Sequence, residues 1–454
     1  MFPKKAISLL CATTLLAGCM SGGLGGGLNF TPPHLAGGEV EPAEQPLRTS
    51  GTGQKKRNKI FDFGPTAADG ESEVLDTLVA RRSVLPEDGM YDRVATAALA
   101  AGSRAAEAEL RSAKLRAEAE NKNWLPQLKP TVSLTSLGET LASLVVDQVL
   151  YDNGKREAER AYAAADVEVA AVTLSQDQND RVYSALALYL TGLRGQEKSA
   201  TGTKAIGQMK AFQRIVDGRV AGGVSDKGDQ RMVEGKILDL RASRDIAMEE
   251  ANTARAELHA MTGMDLPKAN VAPLKRYAPD GVEPLSVLKA EAEARRIVAQ
   301  ATAERAGQLP GLTASGTLNR DGTTGALNAG TSNGIGFGTG ARLKAIENSK
   351  ETARENVVEA EEKARRNRSR LEQRLISLQR QERETAKLVR ESRETFKLFQ
   401  AQFKAGQRSV LEVVNIYEQL TRREMERLDA KYEVILVQLE MARDLGVLAD
   451  GGAI

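Results

Sequence analysis

Two long stretches of helical period, at residues 155–216 and 343–404, dominate the pattern of hydrophobic and polar positions. Neither contains a proline, and the first alone would be roughly 90 Å long at the helical rise per residue. A shorter helical stretch follows each one, at 226–261 and again up to residue 446. The last stretch has apolar residues at alternating steps of three and four, a heptad pattern that predicts helices packed along a narrow seam. These positions are Met425, Leu428, Tyr432, Ile435, Leu439, Ala442 and Gly446.

Ahead of each long helix the period changes to two, which predicts β-strands. Residues 131–137 and 144–151 form one expected hairpin, which follows a helix at 91–123. Residues 311–319 and 333–342 form a second hairpin, which follows a helix at 285–308. Strands of about eight to ten residues have the length needed to cross a bilayer.

This order of elements occurs twice, which indicates an internal duplication. Five anchors in the first half recur in the second at offsets of 183 to 186 residues. We therefore divide the chain into repeat 1 (89–267), a proline-rich connector (268–284) and repeat 2 (285–448). The anchor pairs are Leu125-Pro126 with Leu309-Pro310, Gly154 with Gly340, Gly223 with Gly406, Asp229 with Glu412, and Gly263 with Gly446.

Each long helix is joined to its return helix by a glycine-containing stretch that predicts a helix-loop-helix tip. Gly223 lies six positions before Asp229, and Gly406 lies six positions before Glu412. Glycine ends a helix readily, and a carboxylate in the first turn of the next helix is favoured by the helix dipole. The tips are expected at about 217–229 and 404–412.

Four strands cannot close a barrel of useful size, and an open sheet edge is not tolerated in lipid. Either the chain pools its strands with other copies of itself, or the hairpins are not membrane strands. The pattern of residues is compatible with both interpretations.

The composition favours helices packed over a thin seam, because aromatic residues make up only 4% of the 454 residues. The 63 basic and 61 acidic residues nearly cancel, so no nucleic-acid partner is indicated. We expect no catalytic or metal site, because His34 and His259 lack acidic, His or Cys neighbours at metal-ligand spacing. The glycines at 334, 336, 338 and 340 alternate as in a strand and lack the lysine of a phosphate-binding loop.

The first 18 residues have the pattern of a bacterial lipoprotein signal peptide. Lys4 and Lys5 precede an apolar run at 6–16, and Leu16-Ala17-Gly18-Cys19 is a lipobox pattern. Cys19 would then carry the lipid, and we expect no other cofactor. An ordinary signal peptide with an incidental cysteine is the alternative. No Asp follows Cys19 to retain the lipoprotein in the inner membrane, which favours the outer membrane. Residues 19–88 are assigned to a lipidated tether.

With these features in place, the sequence resembles the TolC family of outer-membrane export channels over about residues 88–448. The most specific parts are Arg219-Val220-Ala221-Gly222-Gly223 through Asp229, and residues 405–414 around Gly406-Gln407-Arg408-Ser409. The resemblance implies a mainly α-helical fold with a transmembrane β-barrel, built from long antiparallel coiled-coil helices and four strands per chain. A homotrimer would form a twelve-stranded barrel in the outer membrane and a helical tube across the periplasm.

The resemblance also implies roles for the two tips, which in the family form the entrance that dilates and meets a periplasmic adaptor. Glu412 falls on the first of two acidic positions that ring the constriction. Asn415 falls on the second, so one carboxylate per chain of the family pattern is absent. Asp229, which we include with the constriction as the repeat partner of Glu412, matches a position outside the acidic ring. The expected adaptor-docking residues are Arg219, Gly222, Gly223, Lys404, Gly406, Arg408 and Ser409.

The implied function is a passive exit duct that works with the adaptor and with an inner-membrane pump, either an ABC transporter or a proton-driven pump. A periplasmic coiled-coil lipoprotein, structural or adaptor, is the alternative, in which the strands form a small soluble sheet. Two clues to the substrate conflict. The Gly406-Gln407-Arg408-Ser409 tip is closer to the protein-exporting branch of the family, whereas the lipid anchor is more typical of the branch that serves multidrug pumps.

Overall fold

The structure is a computed structural model that describes residues 72–453, except 103, 135–139, 266–272, 321, 333 and 335. The described residues fall in one compact unit, residues 57–454. They form eight α-helices, four β-strands and a short 3-10 helix at Gly451–Ala453. The helices are α1 Glu73–Val79, α2 Met90–Ala100, α3 Arg104–Glu120, α4 Lys155–Ala221, α5 Lys227–Thr262, α6 Leu285–Ala306, α7 Thr339–Lys404 and α8 Val410–Asp444; the strands are β1 Gln127–Leu134, β2 Thr140–Tyr151, β3 Pro310–Asn319 and β4 Gly322–Thr331.

The long helices pack side by side in a row. In the half that holds the tips, α5 packs against α4, α4 against α8, and α8 against α7, so α5 and α7 form the two outer edges. In the half next to the strands, α3 packs against α4, and α6 bridges α4 and α7. The helices α4 and α7 are 67 and 66 residues long. At the helical rise per residue each is about 100 Å long, so both run through the two halves.

The core is a narrow seam between helices. Its largest cluster surrounds Tyr189 of α4 and Tyr432 of α8, both of which are fully buried. The predicted heptad residues Ile435, Leu439 and Ala442 lie in the same cluster, which confirms the seam on α8. A core of this kind needs few large side chains, which agrees with the low aromatic content.

The strands form one antiparallel sheet in the order β1-β2-β3-β4, so β2 and β3 join the two hairpins. Leu144 of β2 lies opposite Pro130 of β1 and Leu318 of β3. A register shift between Val149 and Tyr151 interrupts the β2–β3 pairing near the helices. Among the described strands, β1 and β4 are each paired on one side only. Proline is tolerated in a strand at such an edge, which explains how Pro130 fits in β1.

The fourth strand is not where the sequence pattern placed it. The alternating glycines predicted a strand at 333–342, but the strand is Gly322–Thr331, and Thr339 begins α7. Asn319 pairs with Gly322, which leaves only two residues for the turn. A two-residue hairpin closes at a lower entropic cost than a connection of about thirteen residues, and glycines add no side chain to the packing of a strand. The local pairing is therefore favoured.

The single helix predicted at 91–123 is two helices, α2 and α3, which are separated near Gly102. Glycine is a poor helix former. Arg181 of α4 packs onto this glycine, since a Cβ at position 102 would lie 2.0 Å from its guanidinium carbon. Its Nε donates to the carbonyl of Ala98 at 2.7 Å and so satisfies an acceptor at the end of α2. The break therefore depends on a tertiary contact that the local pattern does not encode.

One anchor of the duplication is displaced. Gly154 is the N-cap of α4, and the N-cap of α7 is Gly338, whereas Gly340 lies inside that helix. The corrected offset is 184 residues. The N-caps of the return helices, Asp226 and Ser409, follow at 183. The duplication is thus more regular in the structure than the sequence anchors indicated.

Part of the predicted tether belongs to the folded unit, because α1 lies within the stretch 19–88. Val74 and Leu78 of α1 are buried against α4. The signal peptide, Cys19, His34 and part of the connector at 268–284 lie outside the described residues. None of the described helices combines the length and the apolar character that a membrane-spanning helix requires.

The segment that follows α8 returns to the start of the folded unit and is held by hydrogen bonds. The N–H of Val84 donates to the carbonyl of Val447 at 2.9 Å. Asn179 of α4 is 1% exposed, and its Oδ1 accepts from the N–H of Leu448 at 2.8 Å and of Ala449 at 3.3 Å. One buried amide thus satisfies two backbone donors of the C-terminal segment.

We expect Asn179→Ala to loosen this segment from α4. The two N–H groups would lose their acceptor, and a buried unsatisfied donor costs on the order of 1–3 kcal/mol. Hydrogen exchange at the amides of Leu448 and Ala449 should accelerate, while Asn252→Ala at an exposed position of α5 should leave it unchanged. Unchanged exchange in Asn179→Ala would show that other contacts hold the segment.

Candidate functional site

The first tip, between α4 and α5, has a closely defined backbone. The N–H of Val224 donates to the carbonyl of Arg219 at 2.8 Å, and the N–H of Gly223 donates to that of Val220 at 3.0 Å. This pair of bonds is the Schellman motif, which needs a left-handed residue where the helix ends. Gly223 supplies it with φ of 71°.

The second tip, between α7 and α8, ends its helix in the same way. The N–H of Gln407 donates to the carbonyl of Gln402 at 2.9 Å, and the N–H of Gly406 donates to that of Phe403 at 2.9 Å. Gly406 has φ of 75°. The prediction that these two glycines end the long helices is therefore confirmed.

Side chains cap both return helices. Asp226 Oδ1 accepts from the N–H of Asp229 at 2.9 Å. In the second tip, Ser409 Oγ accepts from the N–H of Glu412 at 3.3 Å, and Glu412 Oε2 accepts from the N–H of Ser409 at 3.0 Å. This reciprocal pair is a capping box. Asp229 and Glu412 thus lie in the first helical turn, as predicted.

A compact charged group surrounds Arg408 in the second tip. Its Nη1 lies 3.1 Å from Glu412 Oε1, and its Nε donates to Gln402 Oε1 at 3.1 Å. The guanidinium also lies 4.5 Å from the ring centre of Phe399, a cation–π contact. Both carboxylate oxygens of Glu412 are therefore engaged, one by Arg408 and the other by Ser409.

These contacts lower the pKa of the Glu412 carboxyl below its ordinary value. The largest cause is the hydrogen bond from the backbone N–H of Ser409, and the side chain of Arg408 adds to it. Because the folded-state pKa is lowered, the contacts favour the folded tip above the ordinary carboxyl pKa, and this contribution is lost as pH falls through the lowered value. Glu412 therefore carries its negative charge at neutral pH.

The remaining predicted residues lie at the surface of the tips. Arg219, Gly222, Lys404 and Asn415 are exposed, and Asp229 is half-exposed. Asn415 follows Glu412 by three positions on α8, so the two side chains project from the same side of the helix. Within the described ranges, no three His, Cys, Asp or Glu residues lie close enough together to hold a metal ion.

One apolar cluster lies beneath both tips and joins them. The ring of Phe212 on α4 lies 6.4 Å from that of Phe396 on α7 and 6.0 Å from that of Tyr417 on α8. Lys236 of α5 forms an ion pair with Glu418 of α8 in the same region. Since α4, α5, α7 and α8 all contribute to this cluster, both tips lie at the same end of the molecule.

The sheet at the other end has one apolar face. Cross-strand partners share a face, so the register assigns every strand residue to one side. Leu128 and Val132 of β1 are 65% and 72% exposed, and Leu327 of β4 is 71% exposed. An exposed apolar surface of this extent is typical of a surface that binds another protein or lipid. Further apolar residues of this face are Pro130, Leu144, Val146, Leu312, Ala314, Leu318 and Ala329.

The opposite face of the sheet is mainly polar. Thr131 Oγ1 lies 2.7 Å from Ser143 Oγ, and Asn328 Nδ2 donates to Ser315 Oγ at 2.9 Å. Charge on this face is paired, since Lys129 Nζ lies 2.9 Å from Asp147 Oδ2. The sheet therefore separates a water-compatible surface from an apolar one.

Sequence reasoning missed the residues that hold Arg408 in place. Gln402 and Phe399 belong to the last turns of α7, and their contact with Arg408 depends on the shape of the turn between them. The capping box, by contrast, could have been found, because Ser409 followed three positions later by Glu412 is its sequence signature. The N-cap Asp226 has a related signal, an Asp ahead of a helical stretch.

We expect Gly406→Ala and Gly218→Ala to act in opposite directions. No atom lies within 4 Å of a Cβ built at either position, so the effect of alanine on stability depends only on the backbone conformation. Alanine in the left-handed region costs about 1–2 kcal/mol, whereas in the helical position 218 it is favoured by about 0.5–1 kcal/mol. Amide exchange at residues 402–412 should accelerate in Gly406→Ala, and exchange at 214–222 should slow in Gly218→Ala. Equal behaviour of the two variants would contradict a conformational requirement at Gly406.

Comparison with known proteins finds matches among solved structures only. No family model matches the chain, and no curated protein matches its sequence. The outer membrane protein VceC from Vibrio cholerae matches with a TM-score of 0.69 and 15% identity, over 78% of this chain and 96% of that one. CusC, whose crystal structures concern folding and transmembrane channel formation, matches with a TM-score of 0.68 and 16% identity, over 78% of this chain and 91% of that one. The open MtrE outer membrane channel of Neisseria gonorrhoeae matches with a TM-score of 0.65 and 16% identity, over 79% and 90%.

At these identities the likeness concerns the fold. It extends over most of each chain. The resemblance seen in the sequence is confirmed at this level, and the chain has the fold of the TolC-family outer-membrane channels.

Proposed function

We propose that this chain forms the outer-membrane exit duct of a tripartite export system. In this role it passively conducts substrate from an inner-membrane pump and a periplasmic adaptor to the outside. The observation that carries the proposal is the sheet, which has an exposed apolar face, a polar face and two outer strands that, among the described strands, are paired on one side only.

A sheet of this kind suits a membrane only as part of a closed barrel. Its leucines and valines suit contact with acyl chains, and its hydroxyl and amide groups suit a water-filled passage. The open edges of β1 and β4 carry backbone groups that lipid does not satisfy. Pairing β4 of one copy with β1 of the next satisfies both edges. The TolC-like fold supports three copies, which give twelve strands.

The helical row supports the same assembly. Copies that join at their strand edges also bring α7 of one copy next to α3 and α5 of the next. At about 100 Å, the long helices have the length to carry the passage across the periplasm. The tips lie at the far end from the sheet, where an adaptor and a pump can meet them. The proposed docking residues are Arg219, Gly222, Gly223, Lys404, Gly406, Arg408 and Ser409.

Glu412 is the residue that we propose for the narrowest part of the entrance. Threefold symmetry would bring three copies toward one axis, and Ser409 and Arg408 hold each carboxylate in one orientation. A ring of carboxylates in a confined passage favours cations. Asn415 adds a neutral amide on the same side of α8, and Asp229 in the other tip is expected to contribute less.

In this role the chain lies in the outer membrane of a Gram-negative bacterium, with the lipid on Cys19 as an additional tether. Such a duct serves either type I protein secretion or small-molecule efflux, since in both systems the pump supplies the energy. The pump that co-purifies with the chain, an ABC transporter or a proton-driven pump, identifies which of the two applies.

Two neighbouring substitutions on opposite faces of β1 test the duct. We expect the natural chain to form heat-labile trimers in detergent that conduct ions in planar bilayers. Val132→Arg places a charge on the face assigned to lipid, where it costs about 2–4 kcal/mol at mid-depth, and should abolish insertion. Thr131→Arg places the same charge on the polar face and should insert, with a reduced cation conductance. A natural chain that stays monomeric and does not conduct would favour the adaptor-like alternative.

The constriction is tested by comparing Glu412→Gln with Asp229→Gln in the same bilayers. We expect Glu412→Gln to weaken cation selectivity and to relieve block by a trivalent cation, because it removes three carboxylates from the ring. Asp229→Gln should leave both properties close to those of the natural chain. If neither substitution changes selectivity or block, the narrowest point lies elsewhere and Glu412 serves only to cap α8.

A further inference from the structure

The exposed side of α7 carries a row of basic residues in the half that holds the tips. Ile376, Arg380, Arg383, Lys387 and Arg390 follow one another at steps of four and three, so they lie on one side of the helix. All five are exposed, and they lie opposite the positions of α7 that are buried against α8. We call this row the basic stripe.

The charges of the basic stripe are largely uncompensated within one chain. Across the described part of the structure, no carboxylate forms an ion pair with Arg380, Arg383 or Arg390. Lys387 lies 3.7 Å from Glu391, and their side chains are 71% and 58% exposed, so this pair is open to solvent. The stripe therefore presents positive charge to whatever lies beside α7.

The exposed surface of α5 carries acidic residues over the matching stretch, with Arg231 and Arg255 beyond or beside them. Asp239, Glu249 and Glu257 are exposed, and no ion pair joins any of them to a basic residue within the described ranges. Leu238 and Ile246 lie among them and are 55% and 70% exposed. These five residues, which we call the acidic face, lie on the exposed surface of α5, where Ile246, Glu249 and Glu257 also border an open groove next to Leu188 and Thr191 of α4.

The basic stripe and the acidic face belong to α7 and α5, the two outer helices of the row, so they do not meet within one chain. They lie at matching distances from the tips, which share one end of the molecule. Arg390 and Arg380 lie about 14 and 24 residues before the end of α7, and Asp239 and Glu249 lie about 12 and 22 residues after the start of α5. Both sets therefore fall roughly 18 to 36 Å above the tips.

We propose that the basic stripe of one copy lies on the acidic face of a second copy, and that this contact forms the seam between neighbours in the helical tube. The inference rests on the proposed function only in that it requires a ring of copies. Ile376 on one side and Leu238 and Ile246 on the other supply apolar contact within the charged border.

The charges also select the direction of assembly. Contact between two α7 edges would oppose two basic stripes, and contact between two α5 edges would oppose two acidic faces. Such like-charge contacts are disfavoured, whereas the head-to-tail contact of α7 with α5 is electrostatically complementary. Head-to-tail contacts that close on themselves produce rings. The seam thus accounts for a cyclic assembly instead of a two-fold dimer.

Charge reversal tests the seam in the full-length chain. We expect Arg383→Glu with Lys387→Glu to cause loss of most of the detergent-stable trimer, and Asp239→Lys with Glu249→Lys to do the same. The chain that carries all four substitutions should regain the trimer, because the charges are complementary again. The control is Lys204→Glu with Lys210→Glu, which makes the same charge change at exposed positions of α4 in the middle of the row and should leave the trimer intact.

A cysteine pair gives a measurement that does not depend on weakening the assembly. We expect Arg383→Cys with Glu249→Cys to yield covalent links between copies on treatment with a short bifunctional thiol reagent. Lys210→Cys with Glu249→Cys should yield none between copies.

A trimer that survives reversal of the basic stripe, with no link between the cysteine pair, would overturn the seam. If that trimer conducts but no longer cross-links to an adaptor, the stripe faces the adaptor. If its ion selectivity changes instead, the stripe lines the passage. Both results would leave the duct itself in place. A natural chain without trimer or conductance would instead refute the proposed function.

Discussion

A strand at the edge of a sheet leaves backbone N–H and C=O groups without partners, and lipid offers them none. β1 and β4 are such edges, and the apolar face between them exposes residues as large as Leu128 and Leu327. A single chain therefore satisfies neither its strand edges nor its apolar surface. The helical row is incomplete in the same way, because its outer helices α5 and α7 expose Ile246 and Ile376. Adding further copies edge to edge would pair the open strands of the sheet and cover the outer helices of the row.

Ion pairs between helices accompany the narrow core and set how the helices face one another. Arg194 of α4 contacts Glu250 of α5 on one side, and on the other its Nη1 lies 3.6 Å from Glu433 of α8. Lys198 Nζ lies 3.0 Å from Asp429, also on α8. Single exposed pairs contribute little to stability, but these basic side chains are mostly buried and join three helices. They fix the rotation of α5 and α8 about α4, and that rotation leaves the acidic face of α5 exposed.

The elements that the sequence predicted well are those whose signals are local. The long helices lack proline, and Gly223 and Gly406 end them because a left-handed backbone is needed there. The errors arose where tertiary contacts or loop closure decide. Arg181, about 80 residues further along the chain, packs at Gly102, where the predicted helix is interrupted. The two-residue turn after Asn319 places β4 before the alternating glycines. In the site, Arg408 and Glu412 could be named from the sequence, but the contacts that orient Arg408 could not.

The two tips share one backbone and differ in their chemistry. Both use the Schellman motif and a side-chain cap, so the turn explains why each needs a glycine and a capping residue. It does not explain Arg408 or the reciprocal bond from Glu412, because in the first tip Asp226 caps α5 without a reciprocal bond, and the arginine there, Arg219, has within the described residues only a single bond to Ser225 Oγ, at 3.3 Å. Side chains that the turn does not need, and that are nevertheless held in one orientation, are where a function beyond folding is expected. The lowered pKa of Glu412 keeps that oriented charge in place at neutral pH. The second tip, more than the first, therefore carries the features that can discriminate among ions and substrates at the entrance.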